Sequence, residues 1–278
     1  MKTLMFYSYK GGSGRTVAAA NVAAAFAKLG KRTAIIDLDF EAPGLHHVLG
    51  ADCEGSLGIQ HYLKNDIDLD QLLNDSIDMF GSTGPLRIYP TDDKGSLLYI
   101  IASTRVANVD AHDPDVGTRM KELQDSLAQR GTEFLIIDAA SGVRDAYSIA
   151  FEACDEMVIF FRWSKQHVAG TLKMVEYMKL LRRMEQSKPF LLVASACPSP
   201  KEIAAVPDLD LRSALERVKG GTQDKIQAIL STSNFEPAVV FHEILESTEL
   251  KWQESIVVFR DGTSDYEELA QKLLDRGK

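Results

Sequence analysis

The sequence has few of the features that secreted, cysteine-ligated or membrane-spanning proteins require. Its 278 residues include three cysteines, Cys53, Cys154 and Cys197, which lie far apart and form no C-x-x-C pair. Neither a disulfide framework nor a cysteine-ligated metal site is therefore expected. No apolar run is long enough to cross a bilayer, and Met1 leads straight into a predicted strand without a secretory signal. We expect a cytoplasmic protein without a membrane anchor.

Positive charge is also scarce, because 31 Lys and Arg residues stand against 40 Asp and Glu residues, giving a formal net charge of −9. General attraction to nucleic acid or anionic lipid is not expected from this balance. The basic run at 179–183 leaves DNA binding open, but the net charge favours a solvated helix face. The segment 162–167, which contains Trp163, is either a partner contact or a packed helix entrance capped by Ser164.

What the chain does have is a regular alternation of apolar strands and helices. The first three elements are predicted as strand 4–7, helix 16–29 and strand 33–36. This order favours the α/β class, with a mostly parallel twisted sheet that carries helices on both faces. Because the alternation runs end to end, we expect one domain over 1–278, with its least regular part at 65–95.

The remaining elements follow from the same apolar periodicity. Further strands are predicted at 86–89, 134–137, 157–161, 190–194 and 238–241. Further helices are predicted at 56–64, 69–73, 115–129, 164–185, 211–230 and 264–275.

A glycine-rich loop, which reads KGGSGRT over residues 10–16, lies between the first predicted strand and the first helix. Glycines let successive backbone N–H groups point at one anion, and the helix adds its positive N-terminal end. Thr16 stands where a hydroxyl would reach a Mg²⁺ ion held by that anion. The loop therefore predicts a phosphate cradle of the P-loop kind, with a plain turn as the alternative.

The loop departs twice from the common pattern G-x-x-x-x-G-K-[ST]. Tyr9 stands at the first glycine, and Arg15 stands at the lysine. Arginine carries a longer, planar fork, so Arg15 would pair with phosphate oxygens from a different position than lysine does. We therefore rank nucleotide binding above nucleotide hydrolysis.

Carboxylates follow two other predicted strands. Asp37 and Asp39 follow strand 33–36, and Asp138 follows strand 134–137. The carboxyl ends of parallel strands meet at one edge of a sheet, which is where open α/β sheets bind ligands. A phosphate–Mg²⁺ site needs an anion cradle, a hydroxyl for the metal and a carboxylate at a strand end. The three segments together predict a nucleoside triphosphate site.

The segment KGGSGRT with the following AAANVAAAFAKLGKRTAIIDLDFEAPG resembles the deviant Walker A ATPases of the MinD/ParA family, which have a P-loop NTPase fold. That family has the pattern KGGxGK[ST], an Asn in the next helix and a strand ending in D-x-D. Asn21, Asp37 and Asp39 stand at those places. The arginine version, with DLDFEAPGL and FRWSKQH, resembles a bacterial subgroup whose loop reads KGGVGRT. The match is closest over 3–45 and 132–145, and a family-variable segment at about 50–112 is mostly unmatched in detail.

The resemblance implies ATP and Mg²⁺ as cofactors. Lys10 is similar to a signature lysine that reaches the partner's phosphates across a nucleotide-sandwich dimer, and Asp39 to a carboxylate that orients the attacking water. Thr16 would bind Mg²⁺, with Asp37 and Asp138 supporting it through water. The implied nucleotide-binding residues are Lys10, Gly11, Gly12, Ser13, Gly14, Arg15, Thr16, Val17 and Gly142, and the loop at 195–200 lies where the family seats adenine.

The function implied by the resemblance is that of an ATP-binding, weakly hydrolysing switch. Such a switch dimerises around nucleotide and recruits or regulates a protein partner that the sequence does not name. Because of Arg15, the alternative is a non-hydrolysing nucleotide-binding scaffold. A metabolic enzyme on the same fold is less favoured, since the sequence offers no second catalytic constellation.

Overall fold

The structure, a computed structural model, describes the chain in segments. These are residues 1–103, 109–142, 145–183, 188–205, 207, 209–231, 240–247, 250, 253–260 and 262–276.

One sheet carries the fold, with strand order β3-β4-β2-β5-β1-β6-β7-β8. All neighbouring strands are parallel except β3, which runs antiparallel to β4. The strands are β1 (Lys2–Tyr7), β2 (Arg32–Leu38), β3 (Ile77–Asp78), β4 (Ser96–Ile100), β5 (Phe134–Ala139), β6 (Glu156–Phe161), β7 (Phe190–Cys197) and β8 (Val240–Leu245). This arrangement confirms the predicted mostly parallel sheet.

Helices connect the parallel strands and cover both faces of the sheet. Within the described segments they are α1 (Arg15–Lys28), α2 (Leu45–Leu49), α3 (Ile59–Leu63), α4 (Leu69–Asp75), α5 (Pro114–Gln129), α6 (Asp145–Ala153), α7 (Lys165–Arg183), α8 (Pro200–Ala205), α9 (Leu209–Ser231) and α10 (Asp265–Asp275). In the part of the chain that the structure describes, none of these helices has both the length and the apolar character needed to cross a membrane.

The central strand β1 divides the core into two apolar clusters. Met5 and Tyr7 contribute to the cluster on the side of α5, α6 and α7, and Leu4 and Phe6 to the cluster on the side of α1 and α10. All four side chains are at most 1% exposed. A strand buried on both faces reads as a continuous apolar run, which is why it was recognisable in the sequence.

The predicted strand at 86–89 is wrong, because these residues form turns. Leu86 is buried, but Ile88 is 76% exposed, so no sheet face would bury the whole run. The strand that follows this segment is β4, where Leu97, Tyr99 and Ile100 are fully buried and the backbone pairs with β2.

Other boundaries differ by a few residues. The predicted helix at 56–64 begins at Ile59, and the predicted strand at 238–241 is observed as β8. Residues 184–185 and 238–239, which ended or began predicted elements, lie outside the described residues. The side chains of 182–183 in the predicted basic run also lie outside them.

Helix α1 holds the segment that leads into α10. The Asn21 side chain is fully buried, donates to the carbonyls of Val17 at 2.9 Å and Ser255 at 3.0 Å, and accepts from the Val257 N–H at 2.7 Å. The Lys28 ammonium adds a 2.9 Å bond to the carbonyl of residue 258. One amide therefore fixes the course of a segment more than 230 positions away.

Replacing Asn21 by alanine should destabilise the fold measurably. The Val257 N–H would lose its acceptor, and an unsatisfied buried donor costs about 2 kcal/mol. Urea unfolding followed by circular dichroism should show this loss in the Asn21→Ala variant. Gln271→Ala, which removes an exposed amide from α10, is the control and should change the free energy of unfolding by less than about 0.5 kcal/mol. Equal stability of the two variants would contradict the tethering role.

Candidate nucleotide site

The glycine-rich loop follows β1 and owes its shape to two left-handed residues. Gly12 and Gly14 both have φ 74. Among the described residues, nothing lies within 4 Å of a Cβ atom built at either position, so the backbone conformation, and not crowding, favours glycine there. Successive N–H groups in such a loop point into one concavity, which is the geometry of an anion cradle.

The first turn of α1 is open to an anion. The helix begins at Arg15 after Gly14, its first turn carries no acidic residue, and no side chain of the described residues caps it. The first N–H groups of a helix have no intrahelical acceptor, and the helix dipole favours negative charge at this end. The loop and the helix start therefore offer their donors to the same point, as phosphate sites do.

Neighbouring elements hold the loop in place. The Ser195 hydroxyl hydrogen-bonds the Ser13 carbonyl and lies 3.2 Å from the carbonyl of residue 161 at the end of β6. The Gly142 N–H donates to the Ser8 carbonyl at 3.3 Å, which ties the segment after β5 to the same loop.

Tyr9, the first departure from the common loop pattern, packs against α7. A Cβ atom on Gly170 would lie 2.3 Å from Tyr9 Cδ1, so the ring fits only because α7 has a glycine there. The side chain at the usual glycine position thus anchors the loop to a helix.

Arg15, the second departure, turns its side chain toward carboxylates at the strand ends. Its Nε lies 2.5 Å from Asp138 Oδ1, and its Nη2 lies 3.6 Å from Asp39 Oδ2. Arg15 is 7% exposed and Asp138 is 1% exposed. The predicted contact of Arg15 with phosphate stays a prediction, while the structure gives its guanidinium these two anionic partners.

Arg15 and Asp138 each shift the pKa of the other. Burial alone would lower the pKa of the Arg15 guanidinium, but Asp138 and then Asp39 raise that pKa above its ordinary value. Burial raises the pKa of the Asp138 carboxyl, and Arg15 and the Thr16 hydroxyl oppose that rise. A buried carboxylate needs such a partner, because charge removed from water without a counter-ion is costly.

Some polar atoms around the loop are buried without a partner in the described structure. They include Asp138 Oδ2 and the hydroxyl oxygens of Ser8 and Ser13. Buried polar groups are normally hydrogen-bonded, so these atoms point to a polar occupant. With the Thr16 hydroxyl beside Asp138, the donor set is of the all-oxygen type that Mg²⁺ prefers. The residues present therefore fit a magnesium-bound nucleotide.

Asp37 closes the loop after β2. Its Oδ1 accepts from the Asp39 N–H at 2.9 Å, and its Oδ2 accepts from the N–H groups of Gly44 and Leu45 at 3.0 Å each. The carboxyl is fully buried, and burial followed by the charge of Asp138 raises its pKa. This hydrogen bonding of Asp37 to the loop backbone was not predicted from the sequence, although a D-x-D pair before a glycine-containing loop indicates it. The predicted support of a metal by Asp37 stays a prediction.

Lys10 is exposed in the glycine-rich loop. Burial lowers the pKa of His167, and the charges of Arg162 and Lys10 lower it further. These positive groups therefore border one open surface next to the cradle. Reach across to a second copy, as predicted for Lys10, stays a prediction.

A cavity of about 280 Å³ adjoins the glycine loop on the side of β7 and β8. Of the loop at 195–200, which was predicted to seat adenine, Ser195 and Ala196 line this cavity, whereas Pro198 is not among the described lining residues. Ala196 has a left-handed φ of 49 at a bulge in the pairing of β7 with β8. The other lining residues are Gly12, Ser13, Gly14, Val17, Arg162, Ile244, Leu245, Glu246, Ser247, Leu250, Glu254 and Tyr266. Sequence reasoning marked the loop at 195–200 but missed that β8 and Tyr266 line this cavity, because their lining residues carry no motif.

Trp163 is a packed residue at the entrance of α7. Its ring meets Phe161 edge-on at 5.0 Å between centroids, and its Nε1 donates to Glu243 Oε1 at 3.2 Å. The Lys219 ammonium lies 5.7 Å from the centre of the same ring. Of the two interpretations of segment 162–167, the structure favours a packed entrance for Trp163, while Arg162 remains exposed at the cavity.

Several known proteins are similar to this chain in sequence or in structure. MinD of Escherichia coli K12 is 24% identical over 160 residues, which are 57% of this chain and 52% of that protein. The chain thus spans about half the length of the curated relatives it matches first.

Two solved structures superpose on nearly the whole chain. A McdA–ATP complex from Cyanothece has a TM-score of 0.68 at 16% identity and covers 98% of this chain and 96% of its own. MinD from Pyrococcus horikoshii OT3, complexed with Mg-ADP, has a TM-score of 0.62 at 16% identity and covers 100% of this chain and 96% of its own. At such identities the likeness shows the fold, and it confirms the predicted P-loop NTPase architecture.

The family to which these proteins point also matches directly. The model of the CobQ/CobB/MinD/ParA nucleotide-binding domain covers residues 4–255, from β1 to the segment tethered by Asn21. The match includes the glycine loop and the carboxylates at the ends of β2 and β5. The resemblance inferred from the sequence is confirmed, and the chain belongs to the CobQ/CobB/MinD/ParA nucleotide-binding domain family.

Proposed function

We propose that the chain is an ATP-binding switch that hydrolyses ATP slowly and dimerises around the nucleotide. The observation that carries this proposal is the uncapped start of α1 behind a left-handed glycine loop, with Asp39 and Asp138 at the adjoining strand ends. The fold shared with a McdA that was solved in complex with ATP supports the choice of nucleotide.

In this proposal the backbone N–H groups of residues 11–16 hold the phosphates. The base enters the cavity between the loop and β8, whose volume of about 280 Å³ is near the lower end for small-ligand pockets. Thr16 and, through water, Asp138 would hold Mg²⁺, which neutralises charge on the phosphate oxygens when bound. We assign the response to the terminal phosphate to Gly142, a role supported by its hydrogen bond to the Ser8 carbonyl in the loop.

Asp39 is the residue that we assign to the attacking water. Its side chain is 21% exposed, so water reaches it, whereas Asp138 is buried. In hydrolysis the water oxygen bonds to the γ-phosphorus, the bond from that phosphorus to the ADP oxygen breaks, and Asp39 orients the water and accepts its proton. The ordering of water by a carboxylate is a usual part of phosphoryl transfer.

Lys10 is the residue that we assign to the dimer. Its ammonium is exposed beside the cradle and carries charge on a flexible stem, which suits contact with phosphates bound to a second copy. The surface of the proposed dimer would recruit or regulate a protein partner.

A non-hydrolysing scaffold is the second candidate, and one observation favours it. Arg15 points its guanidinium to Asp138 and Asp39, the groups that turnover would use. Positioned cations change rates of phosphoryl transfer by orders of magnitude, so an arginine engaged elsewhere would leave binding intact and slow the chemistry.

Replacing Lys10 by alanine should impair dimerisation more than nucleotide binding. Size-exclusion chromatography with light scattering, run with and without ATP–Mg²⁺, should show a dimer only with nucleotide in the unaltered chain. In Lys10→Ala the dimer should dissociate at least about tenfold more readily, since a charge-assisted contact of roughly 1.4 kcal/mol is lost.

The matched control is Lys64→Ala, which removes another exposed lysine, at the end of α3. It should dimerise like the unaltered chain. An unchanged dimer in Lys10→Ala would contradict the role of this lysine, and binding without any dimer in the unaltered chain would favour the scaffold.

Replacing Asp39 by alanine separates turnover from binding. If Asp39 orients the water, phosphate release should fall by about 10²-fold, the smaller end of losses for a general base, while nucleotide affinity stays within a few-fold. Asp66→Ala, which removes an exposed carboxylate after α3, controls for net charge. Equal phosphate release from Asp39→Ala and the unaltered chain would assign the measured turnover to another residue or to a contaminant.

A further inference from the structure

The ion cluster beneath the glycine loop joins three elements through one guanidinium. Arg15 extends from α1, Asp39 follows β2, and Asp138 stands in β5. The distances are 2.5 Å from Arg15 Nε to Asp138 Oδ1 and 3.6 Å from Arg15 Nη2 to Asp39 Oδ2. The guanidinium therefore lies against the carboxylates that the proposed function assigns to the metal and to the water.

The charges of this cluster leave a clear need for a cation. Asp37 is the register neighbour of Asp138, so a third carboxyl lies beside the pair. Its oxygens already accept three backbone N–H groups, and its charge also acts on the Arg15 guanidinium, whose ion pairs are with Asp138 and Asp39. Among the described residues, Arg15 is the cation recorded in ion pairs with these two aspartates.

A divalent cation would compete with Arg15 for the negative charge of Asp138 and Asp39. Its approach to Asp138 would bring two positive groups together around one buried carboxylate, and like charges at close range repel strongly where water is scarce. Arg15 contacts Asp138 Oδ1, whereas Asp138 Oδ2 is buried without a hydrogen-bond partner in the described structure. Asp138 therefore keeps an oxygen for a metal, and the charge of the guanidinium beside it is what opposes metal binding.

We propose that Arg15 is an internal counter-ion that keeps divalent cations off Asp138 and Asp39 until bound phosphates draw its guanidinium away. This inference rests on the proposed function for the assignment of the two aspartates. Nucleotide binding then becomes an exchange, in which Arg15 moves from carboxylate to phosphate and a metal replaces it. Metal binding is thereby made dependent on nucleotide.

The arginine is suited to this task by its shape. A guanidinium presents several N–H donors in a fixed plane, so it faces two carboxylates at once, from Nε and from Nη2. A lysine ammonium at residue 15 would be a single point of charge on a shorter reach. The departure from the usual lysine therefore has a physical consequence for metal access.

The test uses Mn²⁺ alone as the probe, with no nucleotide present. Free Mn²⁺ is measured by its electron paramagnetic resonance signal as the full chain is titrated, and circular dichroism establishes that each variant is folded. Arg15→Gln should bind one Mn²⁺ per chain at least tenfold more tightly than the unaltered chain. The double variant Arg15→Gln, Asp138→Asn should lose that gain, and Arg87→Gln, at an exposed arginine, should show none.

Two outcomes would overturn the counter-ion role. One is equal Mn²⁺ affinity of the unaltered chain and folded Arg15→Gln, and the other is a gain that survives Asp138→Asn. If Arg15→Gln does not fold, the unaltered chain is titrated with and without a non-hydrolysable ATP analogue. Mn²⁺ binding only with the analogue supports the proposal, and equal binding without it refutes the proposal. If instead the proposed function fails, the chain will not bind the analogue. The comparison of Mn²⁺ affinity between the unaltered chain and Arg15→Gln uses no nucleotide, so it is unaffected by that failure.

Discussion

The buried charge of Asp138 is the constraint on which the site depends. Asp138 is 1% exposed in the central strand β5, where an unpaired carboxylate would destabilise the fold by about 3–5 kcal/mol. Arg15 meets this need from the first residue of α1, so the start of that helix and the end of the strand are fixed to each other. The same guanidinium reaches toward Asp39, and the end of β2 is thereby included.

Sheet order explains why residues so far apart in sequence share one site. Strand β5 lies between β1 and β2, and the register pairs Phe6 and Asp37 with Asp138 from either side. Because these three strands are parallel, the segments that follow them emerge at the same edge. The glycine loop and the two acidic strand ends therefore meet without any one segment having to be long.

Much of the fold and of the site could be predicted from the sequence, because most of their parts have a recognisable local sequence pattern. Buried strands read as apolar runs, the glycine loop carries a motif, and Asp138 comes at the end of such a run. No such pattern indicates the position of the Arg15 side chain, since a long cation beside both phosphate and carboxylate sites could pair with either. The cavity beside the glycine loop was signalled in part, because the loop at 195–200 was marked in the sequence, whereas the lining residues of β8 and Tyr266 reach the cavity through tertiary contacts and carry no motif.

The two departures from the common loop pattern share a physical logic. Tyr9 packs onto Gly170, and Arg15 pairs with Asp138, so both side chains turn to protein partners. Phosphate recognition by such a loop relies mainly on backbone N–H groups and the helix start, which neither substitution removes. What changes is the fixed charge around the phosphates, and charge governs metal access and rate more than it governs the shape of the cradle. An arginine at residue 15 is thus compatible with binding while it alters what binding allows.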